Sequence, residues 1–159
     1  MSADWEVALV IAGLVGAAVS GGAFFAFSNF VMPALAKLQP GDGAAAMQAI
    51  NVAAPTPTFV AAIASAGLFG MPVVVTNLDR LDEAAVRYVA VGAVLSIGSF
   101  LITVAGNVPR NNALDAIDAD SPPGQSYWGH YLRSWTRLNT LRTLTSLASV
   151  ATYAMALSA

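Results

Sequence analysis

The chain has 159 residues, of which 57% are apolar and 10% charged, with a net charge of −2 and no cysteine. That charge content is roughly half to a third of a water-soluble domain's, so the composition points to lipid as the solvent rather than to a soluble all-α protein with greasy helices. The missing cysteine excludes disulfides, thiolate nucleophiles and Cys-based metal sites, the small net charge offers nucleic acid no basic face, and the length leaves room for one domain over 1–159.

Charge is absent between Glu6 and Lys37, between Asp42 and Asp79, between Arg87 and Arg110, and after Arg142. A bilayer core of ~30 Å takes about 20 apolar residues as helix, and helix is forced because lipid offers backbone groups no partners. The gaps therefore predict an all-α, integral membrane four-helix bundle with spans over roughly 7–35, 57–77, 86–106 and 134–157. The first apolar run is too long, and Met1 to Glu6 too poor in basic residues, for a cleaved leader.

In the first span, Gly13, Gly16, Ala17, Ser20 and Gly21 are small residues of the kind that let membrane helices approach closely. It then turns aromatic: Phe24, Phe25, Phe27 and Phe30 surround Asn29 ahead of Pro33, which predicts a bend or the end of the helix. Asp42 and the run Ala44 to Ile50 predict a short capped helix along the membrane surface, closed by Asn51 and Pro55-Thr56-Pro57.

The second span carries Gly67, Gly70 and a kink expected at Pro72, followed by a short charged link from Asn77 to Arg87. The third span is expected to close at Gly106-Asn107-Val108-Pro109. A long polar connection follows, with Asn111, Asn112, Asp115, Asp118 and Asp120, ending at Ser121-Pro122-Pro123-Gly124. Its three aspartates read as a solvated loop face.

Lys37, Arg110, Arg133 and Arg137 flank the first and third connections, against Arg80 and Arg87 at the second. By the positive-inside rule the first and third connections face the cytoplasm and both termini lie outside, the expected location being a bacterial plasma membrane.

The stretch leading into the fourth span is the most informative. Trp128, Tyr131, Trp135, Asn139 and Arg142 fall within an arc of about 80° at ~100° per residue, with His130, Arg133 and Arg137 on the opposite side among headgroups and water. Ser96, Ser99, Thr103, Asn107 and Arg110 repeat the same offsets in the third span. Two polar stripes should then meet in a pocket lined by Asn29, Asn51, Asn107, Trp135, Asn139 and Arg142 and walled by the phenylalanines of the first span. Arg142 is the sharpest candidate, because an ionisable residue inside a span is costly unless it is paired or functional. Ser96, Ser99 and Thr103 read instead as interhelical hydrogen-bond glue, and Trp128, Tyr131 and Trp135 also suit an interfacial aromatic belt. His130, the lone histidine, reads as a surface residue, and no metal-ligand spacing is present.

Phe27-Ser28-Asn29-Phe30-Val31-Met32-Pro33, Ile50-Asn51, Asn107-Val108-Pro109-Arg110-Asn111-Asn112 and Trp135-Thr136-Arg137-Leu138-Asn139-Thr140-Leu141-Arg142-Thr143 together resemble the anthrone oxygenase-like family of small four-span proteins. The resemblance covers nearly the whole chain. It implies oxidation of an anthrone, or another lipophilic aromatic or quinone-like molecule, by molecular oxygen with no cofactor, neither metal nor flavin. It also implies that Arg142, Asn139 and Asn107 stabilise a ring oxyanion while Asn29, Trp135, Tyr131, Phe27 and Asn51 bind the substrate. No Asp or Glu lies on either stripe, which leaves His130, Tyr131 or water as the proton acceptor. The competing expectation is a non-catalytic membrane subunit, with a homo-oligomer or another membrane protein as partner; lipid is the partner in either case. Gly13, Gly16 and Ala17 on the outside would favour the subunit, and Arg142 inside a pocket the enzyme.

Overall fold

The computed structural model of the protein describes residues 3–159, which are helical apart from short connections. Five helices follow in order: α1, Asp4–Leu35; α2, Pro40–Ala53; α3, Pro57–Thr76; α4, Ala84–Asp115; and α5, Pro122–Ser158. By length and composition α1, α3 and α4 can each cross a membrane. Helix α5 is longer than these but carries more polar residues. Among the described residues no strand is present.

Two starts are fixed by the local sequence. Pro57 and Pro122 sit in first turns, where a missing N–H costs nothing, and the preceding Thr56 and Ser121 hydroxyls accept from the N–H groups of Phe59 at 3.2 Å and Gly124 at 3.1 Å. Helix α2 opens at Pro40 after Gln39, so Asp42 lies in its first turn and is not the cap expected from the sequence.

Helices α1 and α4 do not end at their prolines. Each widens into a π turn just before, at Phe27–Val31 and Thr103–Asn107, where Met32 N–H reaches back to the Phe27 carbonyl and Val108 N–H to that of Thr103. A proline ring collides with the carbonyl four residues earlier. The wider turn makes room for Pro33 and Pro109, and both helices continue. The long polar connection expected after Asn107 is therefore mostly helix, and the link between α4 and α5 shrinks to residues 116–121.

Helix α1 packs against α3 and α5, and α4 packs against the same two. Gly13, Gly16, Ala17, Ser20, Gly21 and Phe24 form the buried face of α1. At the end bearing the chain termini, Val10, Val73, Val89, Tyr153 and Ala156 make a closed cluster. The Tyr153 hydroxyl donates to the Ala66 carbonyl at 2.6 Å, and its ring lies so near α4 that a Cβ on Gly92 would sit 2.8 Å from it. Ser96 and Ser149 hydroxyls meet at 2.7 Å, and those of Ser99 and Ser146 at 3.1 Å. Beyond them, buried Glu6 accepts from the Asn77 amide at 2.7 Å, and Arg80 donates to Asn77 Oδ1 at 2.9 Å and pairs with Glu83 at 2.7 Å. Arg87 also donates to the Asp82 carbonyl.

At the opposite end α2 packs on α5 and on the tail of α4. Its Gln48 amide donates to the carbonyls of Leu114 at 2.9 Å and Ile117 at 2.8 Å, and its Ala44 and Met47 join Met32, Leu114, Trp128, Tyr131 and Trp135 in a second core.

Candidate binding cavity

Between the two cores lies a cavity of about 320 Å³, within the range of small-molecule sites. All five helices contribute to its lining. Phe24, Phe27, Phe59, Ile50, Ile63 and Trp135 make apolar walls. Polar groups enter from α4 and α5, where the two stripes converge.

Arg142 lies at its buried inner part. Its Nη2 donates to Asn139 Oδ1 at 2.7 Å and its Nη1 to Thr103 Oγ1 at 3.2 Å. The guanidinium carbon stands 4.1 Å from the centre of the Phe24 ring and 5.4 Å from the Trp135 indole. Ring faces attract cations, yet neither neutralises one. No carboxylate among the described residues lies within ion-pair distance of Arg142, and its Nε–H has no partner.

Asn139 and Asn107 fix the frame around that charge. The Asn139 amide donates to the Phe24 carbonyl at 2.6 Å and to Ser28 Oγ at 2.7 Å, joining α5 to α1 beside the first π turn. The Asn107 amide donates to the Trp135 carbonyl at 3.2 Å, joining α4 to α5 at the second. Its Oδ1, also buried, has no partner. Both residues line the cavity, while their two unpartnered atoms, a donor on Arg142 and an acceptor on Asn107, are themselves shielded from it. Buried polar atoms ordinarily find partners because leaving one unmade costs about 1–3 kcal/mol.

Toward the mouth, Asn111 Oδ1 accepts from Trp135 Nε1 at 2.7 Å and from the Tyr131 hydroxyl at 2.9 Å. Trp128, Tyr131 and Trp135 stack with centroids 5.7 and 6.1 Å apart, and Phe27 leans on Trp135 at 5.8 Å. Tyr131 precedes the expected fourth span, and burial pushes its phenol pKa up, so it remains a protonated donor and not a base. At the rim, Asn51 donates its amide to Asp115 Oδ1 at 3.0 Å, and exposed Val60 and Val108 form part of the edge.

Of the residues singled out from sequence, Phe27, Asn51, Asn107, Trp135, Asn139 and Arg142 all line this cavity. Tyr131 stands one layer behind it. Asn29 is outside: it lies within the first π turn, is exposed, and returns its amide to the Phe25 carbonyl at 2.9 Å. His130 is exposed beside Tyr127. Arg110, expected on the α4 stripe, instead donates to the Gly106 carbonyl at 2.8 Å, and Asn111 takes its place.

Asp115 is the residue that the sequence reading missed. A loop aspartate is unremarkable, but with α4 continuing past Pro109 the run Thr103, Asn107, Asn111, Asp115 keeps a four-residue spacing and carries a carboxylate to the rim. That spacing was present in the sequence. The expected chain break at Pro109 concealed it.

A sequence model of a family described as anthrone oxygenase matches residues 5–152 of this chain. No curated protein and no solved structure matches it.

Proposed function

The chain belongs to the anthrone oxygenase family, and on that premise we propose that it holds a flat, hydroxylated aromatic ketone in the Arg142 cavity and oxidises it with molecular oxygen. The observation that carries this reading is the buried guanidinium of Arg142 in the cavity lining with no carboxylate paired to it among the described residues. A ketone oxygen suits that charge. The aromatic walls suit the rings.

The chemistry has three steps. A base removes one proton from the ring CH₂ flanked by arenes, and the negative charge spreads onto the ketone oxygen, where Arg142 favours it. The carbanion passes an electron to O₂, and the resulting pair combines into a C–O bond as a peroxide. Protonation and loss of water break the O–O and second C–H bonds, so CH₂ and O₂ become C=O and H₂O. The carbanion itself reduces oxygen, so the balance calls on no further reductant. Among the groups lining the cavity, Asp115 is the one suited to take the proton, directly or through a water.

Helix α5 is the fourth span in this reading. Its length is about 55 Å by helical rise, enough to cross and to project beyond the bilayer. Its buried polar residues, Asn139, Thr143, Ser146 and Ser149, meet partners inside the protein, while Leu141, Leu144, Leu147, Met155 and Leu157 face outward. The cavity end then faces the cytoplasm, as the excess of Lys and Arg there favours. A scaffold role is less well supported, because Gly13, Gly16 and Ala17 are buried against neighbouring helices and present no free small-residue face.

The test is oxygen uptake by the full chain in detergent with a panel of hydroxylated anthrones and quinols, beside Arg142→Ala. Uptake by the parent that falls about 10²–10³-fold in the variant is expected for loss of an oxyanion donor. No uptake by either would overturn the catalytic reading for those compounds, and equal uptake would remove Arg142 from it.

A further inference from the structure

On the outer surface, away from the cavity, a shallow groove of about 430 Å³ runs between the end of α1 and α5. Met32, Pro33, Ala36 and Leu132 give it an apolar lining, and Arg133, Thr136 and Arg137 a polar one. Both arginines are exposed, neither has a hydrogen bond or ion pair among the described residues, and no acidic residue lines the groove. They stand one turn apart on a helix, so their head groups can converge on a single anion. Lys37, next to Ala36, adds a third positive charge nearby.

The same face of α5 continues toward the membrane as Leu141 and Leu144. At ~100° per residue Arg133, Arg137, Leu141 and Leu144 share an arc of about 80°. Both leucines are exposed, as is Phe30 on α1. A cationic edge thus passes along one line into bare apolar surface. We propose that this groove binds one anionic phospholipid, with the phosphate between Arg133 and Arg137 and an acyl chain running from there over Leu141 and Leu144. Paired guanidiniums match phosphate oxygens. A free phosphate would leave the apolar continuation unused.

The site is independent of the oxidation reading, since it touches no residue of the cavity. It is tested on the full chain in detergent by native mass spectrometry, titrating phosphatidylglycerol or phosphatidylcholine. The parent should retain phosphatidylglycerol about tenfold more tightly than phosphatidylcholine. R133Q/R137Q should lose that preference, and R87Q, a charge removed at the other end, should keep it. Glycerol phosphate at equal concentration should not displace the lipid. Equal retention of both lipids by the parent, an equal loss in R87Q, or displacement by glycerol phosphate would each overturn the proposal. Should the double variant fail to fold, R133Q and R137Q singly serve as the readout, and an unchanged preference in both would overturn it as well.

Discussion

The two ends of this molecule bury similar polar side chains and do opposite things with them. Around Tyr153 each hydroxyl is answered by another hydroxyl or a carbonyl, and glycines let the tyrosine ring lie close against the neighbouring backbones. Around Arg142 two of the helices carry π turns, the cavity walls are aromatic, and a guanidinium N–H and an amide oxygen remain unanswered. In lipid there is little hydrophobic force between helices, so polar groups that find each other act as glue. Polar groups that do not are held in place by the rest of the fold. The difference separates polar residues whose groups are all partnered from polar residues that line a cavity with groups left over.

That contrast can be broken at several points. Asp115→Asn should slow oxidation the most, about 10³-fold for loss of a general base, with anthrone affinity nearly unchanged; oxygen-uptake kinetics against tryptophan-quenching titrations separate the two. A parallel loss of affinity would make Asp115 a binding group instead. Next in size, Tyr153→Ala should destabilise the chain by about 3 kcal/mol, because Gly13, Gly70 and Gly92 cannot fill the space it leaves. Reversible unfolding in mixed micelles measures this, with ligand binding per folded molecule retained.

Arg142→Met should act in the reverse sense. Removing an uncompensated buried charge should raise stability by about 1 kcal/mol in the same unfolding assay while weakening ligand capture. A lower stability would mean that the guanidinium holds the helices together. The smallest effect is expected at the closed end, where Ser96→Ala removes one side of a hydroxyl pair and should cost about 0.6 kcal/mol with oxygen uptake unaltered.

The charge gaps made the long helices legible, because excluding charge from lipid is a constraint on composition alone. The 3.6-residue period also brought Asn107, Trp135, Asn139 and Arg142 onto converging faces. It failed where the backbone departs from that period. Asn29 lies inside a π turn and is swung outward, and beyond the other π turn Asn111 replaces Arg110 on the cavity side. Pro109 read as a stop, and with it Asp115 became a loop residue. A widened turn absorbs a proline without ending the helix.

The sequence by itself determined that this is an all-helical membrane chain, which side chains are polar within its apolar stretches, and which end they favour, since transfer from water to lipid acts on each residue separately. Only the tertiary structure decided which of those polar groups are satisfied. Ser96 finds Ser149 and Asn139 finds the Phe24 carbonyl, whereas Arg142 Nε and Asn107 Oδ1 find nothing. Hydrogen bonding depends on distances between helices, which glycine contacts keep short around Tyr153, and no single residue encodes such a distance.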